Sequence, residues 1–157
     1  MQLTKIRGTT GECLNIIIGS DHGGFELKEI CLEFMETRSD CRITDAGTFS
    51  EDSMDYPTVA HKVSRAVSEG EYERGILICG TGIGMSVVAN RYTGVRACLC
   101  HNLFTARLSR EHNDANILVM GGRVIGRGIA VEMVELFLNT PFEGGRHELR
   151  LSQIETD

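Results

Sequence analysis

The chain has 157 residues, 41% of them hydrophobic and 24% charged, and a formal net charge of −6. That length suits one domain able to bury roughly 70% of the surface its unfolded form exposes, and no run approaches the eighteen or more apolar residues of a membrane span. An acidic balance also lacks the net basic face that a general nucleic-acid binder needs to release counterions from phosphates, so neither nucleic acid nor membrane is expected as a partner.

Residues 1–13 contain no apolar block like that of a secretory signal. They read as a short polar extension ahead of a single domain over 14–157, and the expected address is the cytoplasm. LNIIIG (14–19) reads as the first strand, and Leu27, Ile30, Cys31, Phe34 and Met35 then recur at helical spacing. CRITDAG (41–47) is the second strand. After a long polar loop, Pro57 opens a helix that carries Val59, Val63, Ala66 and Val67. GILICG (75–80), VRACLC (95–100) and NILVMGG (116–122) complete five buried strands. A helix with Ile129, Met133, Val134, Phe137 and Leu138 follows, and a short last helix is expected after EGGRH. Strands with nearly continuous apolar character alternating with helices imply a parallel sheet covered on both faces. Such a sheet places its ligand site beyond the carboxyl ends of the strands.

The loops there hold the reactive residues. In CGTGIG (79–84), Gly80, Gly82 and Gly84 let backbone N–H groups turn inward, and the following helix adds the positive end of its dipole, so the loop is an anion cradle. It is not a dinucleotide fingerprint, since Met85 stands where the last glycine is needed, and it lacks the lysine of a P-loop. Cys79 ends the strand at this point, a placement that can bring a thiol pKa from about 8.5 to roughly 3.5–7.5. A thiolate could attack phosphorus or take a proton from carbon, and a buried inert thiol is the bland alternative. Phosphatase loops carry an arginine six residues after their cysteine, and that position is Met85, so the phosphatase reading loses its cation.

Asp21 and His22 follow the first strand and project at the same sheet edge as Cys79. SREHNDAN instead precedes the fifth strand. It sets His112, Asn113 and Asp114 at a helix end, where a group titrating near neutrality stands beside an amide able to bond sugar hydroxyls; an ordinary helix terminus would look the same. EGGRHELRL places Arg146 and Arg150 at i and i+4, with His147 adjacent, on a face able to grip phosphate through bonds of roughly 1.5–3 kcal/mol each. Arg123 could join them, and a solvated basic turn is the alternative. His61 and His101 have no companions that would give them a role. Six cysteines (13, 31, 41, 79, 98 and 100) show neither paired nor zinc-like spacing and read as reduced.

Taken together, GSDHGGFELK, DYP, GILICGTGIGMSVVANR, LSREHNDANILVMGGRVIG and FEGGRHELRL closely resemble the ribose/galactose isomerase family, in its type B ribose-5-phosphate isomerase branch, in order and spacing from about residue 15 onward. The resemblance implies a Rossmann-like three-layer α/β/α sandwich with a five-stranded parallel sheet. It also implies a homodimer or a dimer of dimers whose site is shared between protomers, with a sugar phosphate as substrate and neither metal nor cofactor. Carried onto matching positions, it makes Cys79 the base that moves a proton between carbons one and two, and gives His112 the opening of the furanose ring. Thr81 would assist at the ring oxygen or a nearby hydroxyl, and the amides of Gly80, Gly82 and Gly84 would hold the enediolate oxygen. Asp21, Tyr56 and Asn113 would bond sugar hydroxyls, while His22, Arg123, Arg146 and Arg150 would hold the phosphate, with His147 next to them.

Three alternatives accompany that expectation. The substrate could be a six-carbon sugar phosphate of the galactose or allose type. A non-catalytic phosphate- or nucleotide-binding module would need the cradle and the arginines but neither Cys79 nor His112. Metal-dependent isomerisation could draw on Asp21, His22, Asp45 and Asp55, whose spacing matches no ligand motif.

Overall fold

A computed structural model describes residues 13–155, so all of the expected N-terminal extension except Cys13 lies outside the described residues. Strands β1 (Leu14–Ser20), β2 (Cys41–Asp45), β3 (Arg74–Cys79), β4 (Ala97–Leu99) and β5 (Ile117–Gly121) form one all-parallel sheet in the order β2-β1-β3-β5-β4. Helices α1 (Phe25–Glu36), α2 (Tyr56–Ser68), α3 (Ile83–Ala89), α4 (Leu103–Glu111) and α5 (Arg127–Asn139) alternate with the strands, and α6 (Arg146–Leu151) closes the order.

The three central strands are buried because alternate residues serve opposite cores. Ile16, Ile18, Ile76, Ile78, Leu118 and Met120 face α1, α4 and α5, where they meet Leu27, Cys31, Ala106, Met133 and Phe137. Ile17, Leu77, Cys79, Ile117 and Val119 face α2 and α3, where they meet Val59, Val63, Val67, Met85 and Ala89. These two cores and the sheet between them make the expected three-layer sandwich.

Two strands depart from the expected continuous burial. β2 is an edge strand, and its residues alternate between half-buried and exposed because only one neighbour covers it. β4, at the other edge, keeps only Ala97–Leu99 of the run 95–100, the stretch paired with Ile117–Val119 of β5. The last helix begins at Arg146, inside EGGRH rather than after it. Gly144 and Gly145 turn the chain at φ +67° and +58°, and helix starts directly behind them.

The chain leaves β1 toward β2 on one side and returns with β3 on the other. The carboxyl ends of β1 and β3 therefore splay into a crevice, the switch point at which doubly wound sheets bind ligands. Beside it, Lys28 of α1 is wholly buried, with Nζ 2.5 Å from Asp45 Oδ2, 3.0 Å from Glu29 Oε1 and over the ring of Phe49. The other Asp45 oxygen accepts from the Gly47 N–H at 2.8 Å, so one buried cation anchors the start of the loop 46–55.

Candidate active site

At the crevice, Asp21 is buried, and its Oδ1 accepts the Gly24 N–H at 3.1 Å, closing the single 3-10 turn His22–Gly24. His22 Nδ1 accepts the Met54 N–H at 3.3 Å, which leaves hydrogen on Nε2 and makes that nitrogen the donor toward the site. Cys79 is 4% exposed, and its sulfur accepts the Gly82 N–H at 3.1 Å.

The glycines are needed here for close approach. Gly82 sits at φ +82°, and a Cβ there would lie 2.5 Å from Leu99 Cδ1 and 3.0 Å from the Met120 backbone. Gly84 lies under the Tyr56 ring, which a Cβ would meet at 2.5 Å. Arg123 folds back over the loop, with its N–H on the Gly80 oxygen at 3.0 Å and its guanidinium beside Gly80. A cavity of about 300 Å³, lined by His22, Gly23, Glu51, Gly122, Arg123 and Gly126, opens next to it. Asp21, His22, Tyr56, Cys79, Gly80, Thr81, Gly82, Gly84 and Arg123 thus share one sheet edge. A larger groove of about 540 Å³ between α4 and α5 holds none of them.

The remaining candidates sit at the opposite edge. α4 runs back from β4, and His112 caps its C-terminus just before β5 begins at Ile117. Cys79 pairs with Gly121, at the far end of β5, so the length of that strand alone separates His112 from Cys79 by about 13 Å. The turn carrying His112 and Asn113 is held rigidly. Asp114, at φ +44°, receives Arg110 at 2.8 Å and Arg96 at 3.0 Å, and Arg96 Nε also donates to the Asn113 and Asp114 carbonyls. Arg110 is itself buried, donating to the carbonyls of Ala115 and Thr140. Nearby, burial and the adjacent Arg110 push the Arg74 guanidinium down to about 10.

α6 joins this second cluster. His147 stacks on His112 with ring centroids 4.2 Å apart and planes 11° from parallel. Arg146 and Arg150 flank His147 on the same short helix. Burial first, then His112 and Arg146, push the His147 imidazole below its ordinary value, with Glu143 pulling the other way. Glu143 Oε2 lies 3.3 Å from His147 Nε2 and 4.0 Å from His112 Nε2. These three donor atoms all lie within 4.8 Å of one another. A metal must lie near the plane of each imidazole that binds it, however, and two parallel stacked rings share no such point.

Sequence reasoning missed Lys28, Arg96, Arg110 and Glu143, which act through long-range packing. Only Arg110 and Glu143 left a local trace, their spacing of four residues from Asp114 and His147. Cys79 and the five other cysteines are all free thiols, and no described helix is long and apolar enough to cross a membrane.

Comparison with known proteins places the chain in a family. The Ribose/Galactose Isomerase family model matches residues 16–154. Ribose-5-phosphate isomerase B of Escherichia coli is 44% identical, covering 88% of this chain and 93% of its own. A ribose 5-phosphate isomerase structure from Thermotoga maritima superposes with a TM-score of 0.86 at 50% identity, covering 90% of this chain and 97% of its own. D-erythrulose-4-phosphate isomerase of Pectobacterium atrosepticum is 37% identical over 90% of this chain and 93% of its own length. A sheet of this order, with the glycine loop at its switch point and a match along nearly the whole chain, has one reading: the chain belongs to the ribose/galactose isomerase family and is a sugar-phosphate isomerase.

Proposed function

We propose that the chain interconverts D-ribose 5-phosphate and D-ribulose 5-phosphate through an enediolate, with Cys79 as the base. The observation that carries this reading is the Cys79 sulfur, held by the Gly82 N–H at 3.1 Å in the glycine loop, with Asp21 and His22 on one side and Arg123 on the other. A hydrogen beside a carbonyl is weakly acidic, so its removal needs a positioned base and donors for the developing oxyanion acting together. Both lie in one loop here.

The sugar arrives as a furanose. Opening it breaks the bond between carbon one and the ring oxygen, takes the proton from the hydroxyl on carbon one and returns one to the ring oxygen. His112 exchanges that proton, with Thr81 close to the ring oxygen. Cys79 then takes the hydrogen from carbon two and delivers it to carbon one, while the hydroxyl proton on oxygen two passes to oxygen one. Asp21, Tyr56 and Asn113 bond the sugar hydroxyls. His22, Arg123, Arg146 and Arg150 hold the phosphate, a grip remote from the reacting carbons that can be used to orient them. Because His112 and Cys79 lie at opposite sheet edges of one chain, a second copy must bring its His112 edge to the first copy's Cys79 edge. A homodimer, alone or paired into a dimer of dimers, is the working unit.

The test measures conversion of ribose 5-phosphate together with exchange of the carbon-one hydrogen of ribulose 5-phosphate into deuterated water. The second readout needs the base but no ring. Cys79→Ala should lose both, His112→Ala only the first. Retained exchange in Cys79→Ala would move the base elsewhere, and comparing four-, five- and six-carbon sugar phosphates settles the chain length preferred.

A further inference from the structure

The stacked pair His112–His147 has a third member to which the reading above gives no task. Glu143 lies in the loop before α6, and its own N–H is tied to the Glu111 carbonyl at 3.0 Å, which pins the residue to the end of α4. Its carboxylate stands opposite the Nε2 atoms of both rings. A carboxylate is out of place beside Arg146 and Arg150 if phosphate binding were its only concern, because it repels the ligand they attract.

The stack explains its presence. Two imidazolium rings 4.2 Å apart would repel as like charges, so a proton on one ring disfavours a second on the other. The surroundings decide which ring takes that proton. His147 is buried and flanked by Arg146 and Arg150, which oppose a cation. His112 is about six times as accessible at its side chain, 36% against 6%, and caps a helix C-terminus, where the carbonyl dipoles favour a cation. The other charges on α4 are already engaged, Arg107 with Glu111 and Arg110 with Asp114. Among the described residues, His147 Nε2 is buried without a formed hydrogen bond, and Glu143 is the acceptor within reach.

We propose that Glu143 is a positioning residue for ring opening: by accepting the Nε2 hydrogen of His147 it fixes that ring's tautomer and orientation, and the face of His147, kept from charging by burial and the flanking arginines, holds His112 as the ring that exchanges the proton. This rests on the assignment of ring opening to His112. Glu143 touches no substrate atom in this scheme. It acts through the tautomer of one histidine and the orientation of the next.

The experiment uses the full-length enzyme and three variants, Glu143→Ala, Glu143→Gln and His112→Ala. Glu143→Ala should lower conversion of ribose 5-phosphate about tenfold while carbon-one hydrogen exchange in ribulose 5-phosphate stays within about twofold, since only the opening step is disturbed. Glu143→Gln, which keeps an acceptor oxygen without the charge, should fall between it and the parent. In side-chain ¹⁵N spectra of the ligand-free protein, His147 should carry hydrogen on Nε2, and that preference should be lost in Glu143→Ala. Equal loss of conversion and exchange, unchanged conversion, or an unchanged His147 tautomer would each overturn the proposal. Full conversion by His112→Ala would instead remove the assignment beneath it, an outcome recognisable whatever Glu143→Ala does.

Discussion

The backbone N–H of Gly82 points at the sulfur of Cys79 across 3.1 Å. Gly82 adopts φ +82° at the start of α3. Gly82→Ala would strain that conformation and drive its Cβ toward Leu99 and the Met120 backbone. The expected cost is about 1–3 kcal/mol of stability, read as a lower urea midpoint. Turnover should fall about 100-fold or more with little change in KM, because a misdirected amide acts on the transition state. Wild-type turnover in a folded Gly82→Ala enzyme would show that the amide does not assist the base.

Arg123 and Arg146 occupy opposite sheet edges, yet both are assigned to the phosphate. Replacing either with Met should raise KM for ribose 5-phosphate about 10- to 100-fold, the loss of a charge-assisted contact or two. The effect should shrink for a sugar lacking the phosphate. A KM that is unchanged in one variant would remove that arginine from the site.

Lys28 is buried against Asp45, which remains partly exposed. Lys28→Met should destabilise the fold by about 2 kcal/mol, less than for a fully buried pair because water reaches the stranded carboxylate. Loss of that anchor should also loosen the loop 46–55, seen as faster amide exchange at Gly47 and Met54, whose N–H groups bond Asp45 and His22. Unaltered exchange there would uncouple the buried cation from the loop.

Burial pushes the Cys31 thiol up to about 12 and, aided by the neighbouring Cys98, the Cys100 thiol up to about 11, from 9.0. Both folded values lie above the unfolded one, so their contribution to stability is complete below about pH 9 and is lost as pH rises toward 11–12. Urea unfolding at pH 8 and pH 10 should show this decline, flattened in Cys31→Ala. Iodoacetamide should label neither thiol until the protein unfolds.

His147 carries the opposite sign. Its folded pKa lies below the ordinary 6.5, so its neutral form contributes stability above that pH and the contribution is lost on acidification. His147→Phe, which keeps the stack on His112, should lose less stability than the parent between pH 7.5 and pH 5. Parallel pH curves for the two would contradict this.

Much of the fold was legible in the chain because the central strands serve two cores and are apolar along nearly their whole length, which marks LNIIIG and GILICG as buried strands. The edges were less legible. β2 and β4 are set by how many neighbours a strand has, and the residues themselves do not state that number. For the site, the position of SREHNDAN ahead of β5 already placed His112 away from Cys79. The clamp of Arg96 and Arg110 on Asp114 and the bond from the Met54 N–H to His22 join residues 18, 4 and 32 positions apart. Only the i,i+4 pair among them has a sequence signature.

The separation of Cys79 and His112 has a genetic consequence. In the proposed homodimer, the variants Cys79→Ala and His112→Ala each lack a residue on a different half of a shared centre. When their subunits are unfolded together and allowed to reassort, half of the resulting pairs contain one chain of each kind, and in those pairs one of the two centres inherits a sound cysteine and a sound histidine. About a quarter of normal activity should therefore reappear from two preparations that have almost none.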